Sequence, residues 1–131
     1  MLRLMGKGQT DITIARKPDE VWALVGDFGG LDKWLPGVES CRLEGDDRHL
    51  AMMGMEITER LVRKDDDARS ITYSIVAGVP GVEKHEATLT VGPDGDGSKV
   101  TWDVEADDAM TDMFVQIYQQ GLEAMKKSLE S

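Results

Sequence analysis

The longest regular pattern in the chain lies at its C-terminal end. From Asp108 to Leu129 the large apolar residues are Met110, Met113, Phe114, Ile117, Tyr118, Leu122, Met125 and Leu129. Steps of three and four dominate, which is one face of a 3.6-residue period and predicts an amphipathic helix. Asp107 and Asp108 stand where the positive end of the helix dipole favours acids, and Lys126 and Lys127 stand near the opposite end. At 1.5 Å per residue such a helix is about 32 Å long. Its expected inward residues are Met110, Phe114, Ile117, Tyr118, Gly121 and Met125.

Before this helix the period changes to two. Gln9 to Arg16 alternates as a strand, with Ile12 and Ile14 on one face. Pro18, followed by Asp19 and Glu20, opens a short helix carrying Val21, Trp22, Leu24 and Val25. A second helical turn is expected over Gly30 to Trp34. Six strands then follow with short turns between them: Val38–Glu44, His49–Met53, Met55–Arg63, Arg69–Ala77, Glu83–Val91 and Lys99–Ala106. Short connections make an antiparallel meander. The order is strand, helix pair, six strands, long helix. This predicts an α+β fold in which the long helix lies across the apolar face of a curved seven-stranded sheet. No linker or repeat divides the chain, so residues 1–131 are expected to form a single domain.

Composition narrows the function classes. The net charge of −10 argues against nucleic acid and anionic membrane surfaces, which require clustered Lys and Arg. No apolar run reaches the roughly 18 residues of a membrane span. Met1–Gly8 lacks the sustained apolar core of a signal peptide, so a cytoplasmic location is expected. One cysteine, Cys41, and two histidines, His49 and His85, make neither a disulfide nor a metal site, and no cofactor is expected. Asp94-Gly95-Asp96-Gly97-Ser98 lies between strands, not helices, and reads as a hairpin turn instead of a calcium loop.

Several segments together resemble the START-like or Bet v 1-like (SRPBCC) superfamily, within it the bacterial polyketide cyclase/dehydrase-like proteins. They are Pro18-Asp19-Glu20-Val21-Trp22, Trp34-Leu35-Pro36-Gly37, Thr58-Glu59-Arg60-Leu61 with the acidic turn Asp65 to Asp67, Tyr73-Ser74-Ile75, the Gly92-Pro93-Asp94-Gly95 hairpin, Val100-Thr101-Trp102 and the final helix. The resemblance implies a helix-grip fold with a cavity between sheet and long helix, and an apolar lipid- or polyketide-like ligand. The plant abscisic acid receptors are similar through Thr-Glu-Arg-Leu. Gly54-Met55 replaces their gate and Pro80-Gly81-Val82 stands at their latch, so hormone reception is not carried over.

Alternation then nominates the residues facing the cavity. They are Met55, Ile57, Glu59 and Leu61; Ile71, Tyr73, Ile75 and Ala77; His85, Ala87, Leu89 and Val91; and Val100, Trp102 and Val104. Trp34 is placed at the cavity mouth, Trp102 in its wall, and Trp22 as a core anchor. Phe114, Ile117, Tyr118 and Gly121 contribute from the helix. The expected ligand contacts are thus Trp34, Met55, Ile57, Glu59, Tyr73, His85, Ala87, Trp102, Phe114, Ile117, Tyr118 and Gly121. Glu59 and His85 are ionisable groups on an apolar face. They read as polar anchors, as an acid/base pair, or as groups bonded to each other, Tyr73 or water. Two functions follow: a binding protein for an apolar or aromatic molecule, or a cyclase/aromatase-type enzyme moving protons with Glu59 or His85. The chain is expected to act as a monomer or homodimer.

Overall fold

The alternating segments assemble into one curved sheet in the computed structural model, which describes residues 4–131. Residues 1–3 of the Met1–Gly8 segment lie outside the described residues. Strand β1 (Met5–Ile14) leads to helix α1 (Pro18–Val25) and a 3-10 helix, Phe28–Lys33. Strands β2 (Val38–Glu44), β3 (Asp47–Met52), β4 (Met55–Asp65), β5 (Ser70–Ala77), β6 (His85–Asp94) and β7 (Gly97–Asp107) follow, and helix α2 (Asp108–Glu130) ends the chain. The strand order is β1-β7-β6-β5-β4-β3-β2, with every pair antiparallel. The helix-grip architecture read from the sequence is the one observed. Glycines with positive φ make the turns, as at Gly45 and Gly95.

The first strand begins four residues earlier than the alternation suggests, at Met5 instead of Gln9, and ends at Ile14. Gly6 and Gly8 hide it, because a residue without a side chain shows no alternation. They are there for close packing. A Cβ on Gly6 would come 2.5 Å from Thr111 Oγ1, and one on Gly8 would come 2.5 Å from Val115 Cγ2. Helix α2 therefore lies against β1 and β7. The concave face of β3, β4 and β5 is left facing it across a gap.

Two irregularities bend the sheet on that side. Thr58 pairs with Ala77 but Glu59 with Ile75, so Val76 is passed over. Leu61 pairs with Tyr73 but Arg63 with Thr72, so Val62 is passed over. Bulges of this kind increase local twist and curvature. Pairing of β5 with β6 stops at Tyr73 and Ala87, and the two strands part beyond it. Ala77, expected inward, is exposed because it lies past this parting.

Elsewhere the inward sets hold. Ile57, Glu59, Ile71, Tyr73, His85, Ala87, Leu89, Val91, Val100, Trp102 and Val104 are all buried. From α2, Phe114, Tyr118, Leu122 and Met125 meet them; full burial of such side chains stabilises by about 1.5–3 kcal/mol each. Two tryptophan placements change. Trp22 is half-buried at the surface, where its Nε1 donates to Asp66 Oδ1 at 3.0 Å, and Val21 and Val25 are the buried residues of α1. Trp34 is not at a mouth but in the core, its ring centroid 5.6 Å from that of Trp102.

Candidate functional site

The gap between α2 and the β3–β5 half of the sheet is a cavity of about 260 Å³. Strand alternation supplies Leu50 and Met52 from β3, Met55, Ile57 and Glu59 from β4, and Tyr73 and Ile75 from β5. Trp102 closes it from β7. Helix α2 adds Met110, Met113, Phe114, Ile117 and Tyr118, one turn apart along a single face. Five of the eight methionines line it, enough to make an adaptable wall. Met53 and Met113 are also among the exposed large hydrophobic residues, so the apolar lining continues to the surface there.

Polar groups gather at one end. Glu59 is bound by Arg48: Nε donates to Oε1 at 2.8 Å, and Nη2 stands 2.7 Å from the same oxygen. Arg48 Nη1 donates to the Phe28 carbonyl at 3.0 Å, and the guanidinium lies 4.1 Å from the Phe28 ring centroid and 4.7 Å from that of Tyr73. Charge, hydrogen bonds and ring faces together compensate the burial of this cation.

His85 belongs to a second set. The Ile75 amide donates to His85 Nδ1 at 3.1 Å. An Nδ1 that accepts carries no proton, so the neutral ring holds its proton on Nε2 and donates to Tyr118 Oη, 2.8 Å away. Burial pushes the imidazole pKa down to about 4, with Arg48 adding to the effect. His85 fills the place where β5 and β6 part, satisfying an amide that β6 no longer reaches. Tyr73 packs against the same imidazole, with ring centroids 5.7 Å apart. Burial raises both phenols above their ordinary range, and the Glu59 carboxylate raises them further. Tyr118 stacks on Trp102 at 3.9 Å between centroids and 4° between planes.

A family model described as polyketide cyclase/dehydrase and lipid transport matches residues 5–130. The chain belongs to the polyketide cyclase/dehydrase and lipid transport family. Its fold is shared with several solved structures. The protein XoxI from Bacillus cereus is 31% identical, with 96% of each chain covered and a TM-score of 0.91. An uncharacterised protein from Bacillus thuringiensis is 30% identical over 96% of this chain and 100% of that one, with a TM-score of 0.89. A START superfamily protein from Mycobacterium smegmatis is similar in fold at 13% identity, covering 95% of this chain and 97% of that one, with a TM-score of 0.81. No curated protein matches the sequence.

Within this family member, the residues nominated from sequence divide into two groups. Met55, Ile57, Glu59, Tyr73, Trp102, Phe114, Ile117 and Tyr118 line the cavity. Trp34, His85, Ala87 and Gly121 are buried but stand behind it. Glu59 and His85 do not bond each other. Gly121 faces Leu35 and the two indoles: an added Cβ would lie 2.5 Å from Leu35 Cδ1, 3.4 Å from Trp102 Cζ3 and 3.5 Å from Trp34 Cζ3.

Arg48 is the residue that sequence reasoning missed. Starting β3 at His49 leaves it in the preceding turn. Leu50 and Met52 carried the signal, because alternation backwards from them puts Arg48 on the inward face. Cys41 is half-buried, its Sγ 3.8 Å from the Phe28 carbonyl oxygen, and burial raises its thiol pKa. Among the described residues no group of His, Cys, Asp and Glu could hold a metal ion, and no helix is long and apolar enough to cross a membrane.

Proposed function

We propose that this protein binds a small apolar or aromatic molecule in the cavity between α2 and the sheet. The observation that carries the reading is the cavity of about 260 Å³, walled by aliphatic, methionine and aromatic side chains with Glu59 as its one charged member. Sites of this composition, mostly apolar with a few convergent polar groups, suit small-molecule ligands. The volume lies just below the roughly 300 Å³ at which drug-sized sites begin. It suits a compact ligand better than a long-chain lipid. The family description, which names both cyclases and lipid transport, agrees with an apolar ligand.

A proton-transfer role for Glu59 and His85 has less support. Glu59 lines the cavity but is tied to Arg48, and His85 stands behind the lining with both ring nitrogens hydrogen-bonded. A thermal-shift screen with a library of compact apolar compounds, followed by native mass spectrometry, tests the binding reading. A ligand present at a hundredfold excess over its Kd adds about 2.7 kcal/mol to stability. The expected result is a raised melting temperature and a 1:1 complex for aromatic members of the library. A library that leaves the melting temperature unmoved overturns the reading.

A further inference from the structure

Glu59 is held by one oxygen and leaves the other open. Both close contacts with Arg48, from Nε at 2.8 Å and from Nη2 at 2.7 Å, fall on Oε1. Oε2 receives no hydrogen bond from the described residues. It is not sealed either: among the described residues the side-chain polar atom that is both enclosed and unpartnered is Trp102 Nε1. Glu59 belongs to the cavity lining, and Arg48 does not. The guanidinium therefore stands behind the carboxylate, and the oxygen it does not hold is the one left to the cavity.

This carboxylate is fixed in place. Arg48 is itself pinned by the Phe28 carbonyl at 3.0 Å and by the Phe28 and Tyr73 rings, whose centroids lie 4.1 and 4.7 Å from the guanidinium. Swinging Glu59 away would strand that buried cation. Oε2 is thus a preorganised acceptor set in an apolar wall. A hydrogen bond to an ionised oxygen is about twice as strong as one between neutral groups. An acceptor fixed in advance also loses little freedom when a ligand arrives.

The surroundings decide which donor fits. Among the described residues of the lining Glu59 alone is charged, and Arg48 already balances it. A ligand carboxylate would meet Glu59 in a low-dielectric site with no free cation to offset it. An ammonium would surrender its water to reach a carboxylate whose charge is already offset. A hydroxyl brings a proton without a charge. The rings of Tyr73, Trp102, Phe114 and Tyr118 line the same cavity and favour an aromatic body for that hydroxyl.

We infer that the cavity selects neutral phenols, aromatic molecules whose O–H donates to Glu59 Oε2, over hydrocarbons, carboxylates and amines of similar shape. The inference rests on the binding reading above and assigns that site a ligand class.

Four naphthalenes test it by calorimetry at neutral pH: 2-naphthol, 2-methylnaphthalene, 2-naphthoate and 2-naphthylmethylammonium. Naphthol is expected to bind about tenfold tighter than methylnaphthalene, whose methyl replaces the hydroxyl, as one hydrogen bond to a charged group allows. Each ion is expected to bind at least about tenfold more weakly than naphthol. The double variant Arg48→Met/Glu59→Leu removes the acceptor without stranding a charge, and should bind naphthol no better than methylnaphthalene. A preference for naphthol that survives in this variant overturns the assignment to Glu59. Equal binding of naphthol and methylnaphthalene by the wild type overturns the inference while leaving the binding reading in place, and so does either ion as the tightest ligand. Binding by none of the four overturns both. The wild-type comparison decides the matter even if the variant fails to fold.

Discussion

Arg48 and Glu59 face each other from adjacent strands, Cα partners in the β3–β4 register, and close on one carboxylate oxygen at 2.8 and 2.7 Å. Both side chains are almost fully buried, at 5% and 9% exposure. Such a pair gives little net stability when intact, but removing one partner strands a charge. Arg48→Met is therefore expected to destabilise the protein by about 3–5 kcal/mol in chemical denaturation. Adding Glu59→Leu should restore much of the loss. Additive losses in the double variant would mean that the two residues do not act as a pair.

Acid should loosen the fold through His85. Its folded pKa of about 4 lies below the ordinary 6.5, so the unfolded chain binds the proton first. Stability is then intact above about pH 6.5 and is lost as the pH falls towards about 4, by up to roughly 3 kcal/mol. His85→Gln removes the titration. Guanidinium melts from pH 7 to pH 4 should show a smaller decline for this variant than for wild type. Parallel curves would remove His85 as the cause.

The hairpin joining β3 to β4 contains a conformational cost. Met53 has φ 52° and Gly54 has φ 77°, so a methionine sits in the left-handed region that Asn or Gly occupies readily. Met53→Asn creates the favoured Asn-Gly turn. It is expected to raise stability by about 0.5–1 kcal/mol, measured by thermal denaturation. Since Met53 also lines the cavity and is 59% exposed, the same variant should bind apolar ligands a few-fold more weakly.

Filling the cavity separates binding from folding. Ile117 is half-buried and lines the cavity from one face of α2. Ile117→Trp is expected to keep the circular dichroism and melting transition of the wild type while losing calorimetric binding of any aromatic ligand. Unchanged affinity in this variant would place the ligand elsewhere.

Much of the molecule is a local property of the chain. Period-two alternation put Glu59, Tyr73, His85 and Trp102 inside, because successive residues of a strand point to opposite faces wherever it runs. Steps of three and four fixed the apolar stripe of α2 in the same way. Tertiary structure decided what those inward residues meet. The bulges at Val76 and Val62 and the parting of β5 from β6 bend the sheet, and no periodicity encodes where they fall. The pairing of Glu59 with Arg48 and of His85 with Tyr118 depends on strand register and on the seat of α2, with 11 and 33 residues between the partners. Gly6 and Gly8, blank in the pattern, draw the helix onto β1. That offset leaves the other half of the concave face open, which is why Ile57 and Ile117 line a cavity while Ala87 and Gly121, equally apolar in sequence, lie in solid core.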